Sequence, residues 1–451
     1  ARVIPVFKKG KESLPSNYRP ISLLSLFHKI FEKLMYNRVM GFITTHSVLY
    51  DFQFGFRQNY STTLALVDVI DSIYDHLDKK EYVLGLYLDL QKAFDTVDHS
   101  ILLWKLNYYG IRDVTHSWFA SYLKNRMQFT SVNGCDSNKL PVMCGVPQGS
   151  VLGPLLFLIY ISDIAAAVPG GNIKLFADDT NMFVTGRTLS ELEVSANLQV
   201  TQINNWLIAN KLYVNSEKTC YTVFSPNRTS PSAVNITFNG NKLQQVNSCR
   251  YLGITVDDEL KWTPHIDTVI KRLNRLIGIC YKIRYKLPEW CLRNIYFAFV
   301  YPYITYGLEI YGNTCVSYLD KLTKLNNKIL RILQRKGLRC CTTCFYLQYN
   351  TLPPAQLFTH HVLNLVHKII YSPDLLPTVF QQYLVLNSTV HQYSTRNNKL
   401  FVPQPLSHFG RRSIKFKGPQ LWNRLPNDLT DSTSAKSFSG MLKLHLVCDP
   451  L

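Results

Sequence analysis

Two places in this sequence combine residue type and spacing in a way that could do chemistry. Asp89 follows the apolar run 82–88, so a carboxylate stands where a strand-length segment stops. Asp178 and Asp179 lie between two further apolar runs, 173–177 and 182–184. Adjacent acids on a tight turn repel each other unless a cation sits beside them. Carboxylates are the hard oxygen donors that Mg²⁺ takes, and a few suffice because that ion keeps several of its waters. Two Mg²⁺ ions ~4 Å apart can activate a hydroxyl for in-line attack on phosphate and neutralise the leaving group. The chemistry to which Asp89, Asp178 and Asp179 point is therefore metal-assisted transfer of a nucleotide to a 3′-hydroxyl. Either element alone is weak, since Asp-Asp is also ordinary turn chemistry.

The elements that must position these acids can be read from periodicity. Residues 82–88 predict a buried strand, and 173–184 predict a β-hairpin with its turn at the paired acids. Residues 21–42, 101–109, 151–164 and 189–208 predict helices, the last with Leu189, Leu192, Ala196, Val200, Ile203 and Leu207 on one face. Residues 212–224 and 250–256 predict strands. From 265 the pattern changes to basic amphipathic helices. One sets Ile266, Val269, Leu273 and Ile277 against Lys271, Arg275 and Lys282. The next sets Leu322, Leu325, Ile329 and Ile332 against Lys324, Lys328 and Arg331.

Composition agrees with a polyanionic partner. The chain has 451 residues, and its 49 Lys and Arg against 30 Asp and Glu leave a formal charge of +19. With aromatics at 13%, nucleic acid is the expected partner, since phosphate neutralisation dominates such binding. The 11 cysteines form no disulfide framework and read as free thiols of a reducing compartment. Residues 295–310 are apolar but hold Pro302 and Glu309, so no membrane span is expected. Cys341 and Cys344 with His361 and His367 have loose zinc spacing, but His in an apolar helical run more often packs in a core. A strand-like run begins at once after Ala1, so the chain reads as cut from something longer.

The order of the motifs carries a family resemblance. Asn17-Tyr18-Arg19-Pro20-Ile21-Ser22-Leu23, Gln53-Phe54-Gly55-Phe56-Arg57 and Tyr87-Leu88-Asp89-Leu90-Gln91-Lys92-Ala93-Phe94-Asp95 come first. Gly145-Val146-Pro147-Gln148-Gly149-Ser150-Val151-Leu152-Gly153-Pro154, Phe176-Ala177-Asp178-Asp179, Asn215-Ser216-Glu217-Lys218 and Tyr251-Leu252-Gly253-Ile254 follow. This series resembles the reverse transcriptases of non-LTR (LINE-type) retrotransposons. The wording of the blocks is most like the Jockey and chicken-repeat clades, and the tail from Gly418 to Pro426 is similar to the end of those proteins.

The resemblance implies an α+β right-hand polymerase with an antiparallel palm sheet. Fingers would occupy 1–85, without their first strands. The palm would be 86–262, with an interleaved fingers segment at about 120–147. A helical thumb at 263–345 and a small C-terminal region at 346–451 would complete it. Asp89, Asp178 and Asp179 would ligate two Mg²⁺ ions. Phe94 would lie under the incoming sugar, and Gln148 and Gly149 would touch the incoming nucleotide. Lys218 would act on the pyrophosphate side, with Arg19 and Lys8 reaching the triphosphate from the fingers. Lys271, Arg275, Lys282, Lys324, Lys328 and Arg331 would track a template–primer duplex. The resemblance implies an RNA template, a DNA primer, deoxynucleoside triphosphates and target-primed copying. It also implies an intracellular ribonucleoprotein, in nucleus and cytoplasm. The rival reading is an inactive relic that only binds RNA. An intron-maturase reading would need an intron-binding domain that is not visible. Oligomeric state is not readable from the sequence.

Overall fold

The structure is a computed structural model that describes residues 1–227, 233–337, 340–390 and 400–448. At its centre is a five-stranded sheet. In spatial order its strands are Gln244–Gln245, Cys220–Phe224, Tyr82–Leu88, Asp179–Gly186 and Asn172–Phe176. Strand Tyr82–Leu88 runs antiparallel to both of its neighbours. It is apolar throughout because both of its faces are covered, as side chains alternate across a sheet. Val83 and Tyr87 enter one core, with helix Thr62–Asp78 and with residues from 251 onward. Leu84, Leu86 and Leu88 enter a second core, with helices Leu152–Ile161 and Leu189–Ala209.

Local signals place the helices. Ser61 caps Thr62–Asp78 by accepting from Leu64 N–H, and Thr188 caps Leu189–Ala209 by accepting from Glu191 N–H. Glu191 reaches back to Arg187 N–H, which completes a reciprocal cap.

A second sheet begins with the antiparallel ribbon Arg2–Phe7 and Tyr18–Leu23. Strand Met127–Val132, distant in sequence, joins it in parallel, with Arg2 opposite Phe129. Residues 21–23 are thus strand, and the helix expected over 21–42 is Leu26–Thr45, begun by a Ser25 cap. Pro20 favours the extended backbone that precedes it. Two strand expectations also shorten. In 212–224 only Cys220–Phe224 is strand, because 213–219 folds back against Asp89–Gln91. Residues 250–256 lie within the hairpin Ser248–Tyr251 and Ile254–Asp257, which turns at Leu252 and Gly253, both at positive φ.

Helices Thr263–Ile283 and Val316–Leu333 pack on each other, and the segment after 340 adds Thr342–Tyr349, Pro354–Tyr371, Ile414–Trp422 and Ala435–Cys448. Their apolar faces continue the core that lies under helix Thr62–Asp78.

Candidate active site

Sheet register brings the acids together. Leu88 pairs with Thr180, so the next residue out, Asp89, faces Asp179 across the same strand ends. Phe176 pairs with Asp179, which leaves Ala177 and Asp178 as the whole turn of the hairpin. Ala177 has φ +56, a left-handed conformation that costs a residue with a Cβ free energy.

The acids differ in how far the protein balances them. Burial, Asp178 and Asp89 together push the Asp179 carboxyl up to about 6. Burial and Asp89 also raise Asp178, against the pull of Lys8 and Arg19. Asp89 has a cationic partner, Lys218, whose Nζ lies 3.2 Å from its Oδ2. Lys218 is carried there by the folded-back segment, in which Asn215 N–H donates to Asp89 O and Asp89 N–H donates to Thr219 Oγ1. The three carboxylates share one end of the sheet without enclosing an ion. Among the described residues no three His, Cys, Asp or Glu side chains converge tightly enough for that. As a donor set they fit a hard divalent cation that also keeps waters or takes phosphate oxygens.

The residues expected around the substrate flank this end. Phe94 is partly buried. Its ring stacks on buried Phe157 at 4.7 Å, and Phe56 meets it edge-on at 6.3 Å. Gln148 is engaged, its Nε2 donating to Asp95 Oδ1 at 2.9 Å. The backbone there is pinned, since Ser22 N–H donates to Gln148 O. Gly149 sits at φ +105, where a Cβ would come within 3.0 Å of Ser22 O. Lys8 and Arg19 lie at one end of the N-terminal ribbon, where Val6 pairs with Arg19 and Lys8 N–H donates to Asn17 O.

The residues from 6 to 256 match the family model described as reverse transcriptase (RNA-dependent DNA polymerase). The chain belongs to the reverse transcriptase family. The chain is 33% identical over 348 residues to the RNA-directed DNA polymerase from mobile element jockey of Drosophila melanogaster, covering 73% of this chain and 37% of that protein. It is 31% identical over 391 residues to the probable RNA-directed DNA polymerase from transposon BS of the same fly, covering 81% and 40%. The chain therefore spans about two fifths of the length of these curated relatives. Among solved structures it is similar to a telomerase from Candida albicans, at 14% identity and a TM-score of 0.37, covering 78% of this chain and 64% of that one. The α+β fold is that of the right-hand polymerases, a family that works with divalent metal ions.

Elsewhere the structure treats the expected basic rows unequally. Lys271, Arg275 and Lys282 are exposed on helix Thr263–Ile283, and Lys324 and Lys328 on Val316–Leu333. Arg331 is half-buried, with its guanidinium 5.5 Å from the centre of the Phe345 ring, so it departs from its row. In the loose zinc set, Cys341 and Cys344 are exposed. His361 pairs with Glu309, and His367 bonds Ser432 O and stacks on Phe438. Residues 296–311 break into short helical pieces, and among the described residues no helix is long and apolar enough to cross a membrane.

Residue-by-residue reading assigned no separate task to Gln53, Phe56 or Asp95. Phe56 has φ +55 and is 54% exposed, yet it reaches Phe94. The signal was present, because Phe56 lies in the quoted Gln53–Arg57 motif, but its contact lies across the fold.

Proposed function

We propose that this chain is an RNA-directed DNA polymerase that extends a DNA primer on retrotransposon RNA with deoxynucleoside triphosphates, in target-primed reverse transcription. The observation that carries the reading is the sheet register, which sets Asp89 beside the Asp178–Asp179 turn in a chain of this family. Asp89, Asp178 and Asp179 would hold two Mg²⁺ ions. When bound, these supply Lewis acidity for the attacking hydroxyl and for the leaving pyrophosphate.

The chain's own residues orient and select. Phe94, backed by Phe157, presents a ring edge to the sugar and excludes a 2′-hydroxyl. Gln148, held by Asp95, and Gly149 line the incoming nucleotide. Lys8 and Arg19 bring positive charge from the ribbon to the triphosphate. Lys218, which bonds Asp89 at 3.2 Å, would bring its positive charge to the pyrophosphate side. Lys271, Arg275, Lys282, Lys324 and Lys328 hold duplex phosphate. A duplex of A-like form is gripped by shape and backbone.

In this reading the fingers are 1–85 together with about 120–147, the palm is the rest of 86–262, the thumb is 263–345, and 346–451 follows. The pairing of Met127–Val132 with the N-terminal ribbon supports the interleaving. The working form would be a ribonucleoprotein of cytoplasm and nucleus.

The test is extension of a labelled DNA primer on an RNA template by the purified chain, with Mg²⁺ and deoxynucleotides. DNA product that depends on all three is expected. Template binding without extension would return the chain to the reading of an inactive RNA-binding relic.

A further inference from the structure

Gln53 is fully buried, and its amide oxygen accepts two backbone N–H groups, from Gly55 at 2.8 Å and from Ala177 at 3.0 Å. Ala177 is the strained first residue of the turn that carries Asp178. The segment around Gln53 is bonded to the hairpin as an extra short strand. Leu175 N–H donates to Phe52 O at 3.0 Å, Phe54 N–H donates to Leu175 O at 2.8 Å, and Gln53 bridges Leu175 in parallel. Tyr50 adds a hydroxyl bond to Ile173 O. Arg57 holds this segment in shape from behind by donating to Tyr50 O and Gln53 O.

The contact leaves no slack. A Cβ on Gly55 would lie 2.3 Å from Ala177 N, so this backbone touches the turn directly. The other end of the Gln53 amide, Nε2, is buried without a hydrogen-bond partner. Leaving a buried donor unpaired costs free energy that an apolar side chain of the same shape would not incur. The unpaired Nε2 therefore gives no reason for an amide here. The two N–H groups do, because they need an acceptor aimed at the turn. Without one, Ala177 can relax out of its left-handed conformation and carry Asp178 and Asp179 away from Asp89.

We propose that Gln53 is a positioning residue, whose amide oxygen holds the Ala177 N–H and so fixes the turn that sets Asp178 and Asp179 for metal. The inference rests on the metal-site reading above and names a determinant of that site which lies outside its acids.

The test compares the full-length chain with Gln53→Met, which keeps length and burial but removes the acceptor. Free Mn²⁺ is titrated by electron paramagnetic resonance, alongside primer extension against Mg²⁺ and metal-free template–primer binding. Gln53→Met should weaken Mn²⁺ binding and raise the Mg²⁺ midpoint ~10-fold, since misplacing reacting groups by ~1 Å can cost up to ~10²-fold. Template–primer affinity should stay within ~2-fold, because phosphate contacts carry it. Adding Ala177→Gly should recover most of the loss, as glycine takes positive φ without strain. Unchanged Mn²⁺ affinity in Gln53→Met, or no recovery on adding Ala177→Gly, overturns the proposal. If Gln53→Met does not fold, Gly55→Ala replaces it. The added methyl must displace Ala177 while the amide stays, and unchanged metal affinity there overturns the proposal equally. If the wild-type chain binds Mn²⁺ and Gln53→Met weakens that binding, but the wild type extends no primer, the clamp stands and the polymerase reading falls. A wild-type chain that binds no Mn²⁺ overturns both.

Discussion

Helix Thr62–Asp78 carries four aspartates, of which Asp68 pairs with Lys174 of the sheet, and the protein treats the other three differently from the three at the sheet end. On the helix, Asp71, Asp75 and Asp78 fall on one stripe, as i, i+4 and i+7 do. Each is answered by the C-terminal segment. Asp71 accepts from Ile414 N–H, Lys415 N–H and the Tyr383 hydroxyl, and so serves the first turn of helix Ile414–Trp422. Asp75 pairs with Lys415. Asp78 accepts from Leu406 N–H and from the Ser407 N–H and hydroxyl. Although burial pushes Asp78 up, those bonds outweigh it and hold its carboxyl below the usual range.

At the sheet end Asp89 has Lys218, but Asp178 and Asp179 are raised by neighbouring carboxylates as well as by burial. Acids that receive donors from the chain are anchors. Acids left to repel one another are the ones the metal-site proposal needs. The comparison also gives the described residues after 375 a physical role, as they cover helix Thr62–Asp78 where it is not covered by the central sheet.

The largest effect that separates the two sets is catalytic. Asp178→Asn should lower primer extension by more than ~10³-fold, since a metal ligand contributes several kcal/mol of transition-state stabilisation. Its unfolding temperature should rise rather than fall, because a repulsion is removed. A destabilised but active variant would place Asp178 among the anchors.

The next effect separates ligand from wall. Phe94→Val should improve use of ribonucleotides relative to deoxynucleotides ~10²-fold, or ~3 kcal/mol on rate arithmetic. Deoxynucleotide use should fall only moderately, as the acids remain. The measurement is kcat/KM for matched nucleotides on one RNA template. An unchanged ratio would make Phe94 core packing against Phe157.

The smallest effect belongs to the anchors. Burial raises Asp71 to about 6, despite the Tyr383 and Ile414 bonds and nearby Lys415, with Asp75 adding to the rise. Asp71 therefore binds its proton more tightly folded than unfolded. Its contribution to stability is fullest below about pH 4 and is lost as pH rises through about 6. Relative to Asp71→Asn, the wild type should lose ~2–3 kcal/mol of stability between pH 4 and 7, from a shift of ~2 pK units. Urea unfolding of both proteins across that window reads it. A constant difference would mean that Asp71 does not titrate there.

Much of the site was legible because its determinants are local. An apolar run ending in Asp89, and two runs around Asp178 and Asp179, specify strand ends and a turn whatever surrounds them. The motif order then named the family. Where local preference is weak, the reading failed. Residues 21–23 became strand through pairing with Arg2–Ile4, and 213–219 left the strand to bond with Asp89–Gln91. Arg331 had helical spacing appropriate to a basic row, but Phe345 drew it inward.

By itself the sequence determined which residues could ligate metal, where each strand and turn would place them, and which helices were amphipathic. Periodicity and turn chemistry act over a few residues, so they survive without knowledge of the fold. Only the tertiary structure decided which acids would be neutralised. Asp71 finds its donor at Ile414, and Gln53 finds the Ala177 N–H, at sequence separations of 343 and 124. Nothing in the local sequence marks Asp71, Asp75 and Asp78 as partners of the C-terminal segment, and Gln53 reads as one polar residue in a motif. A carboxylate's role depends on the donors and charges within a few ångströms of it, and those neighbours are chosen by packing.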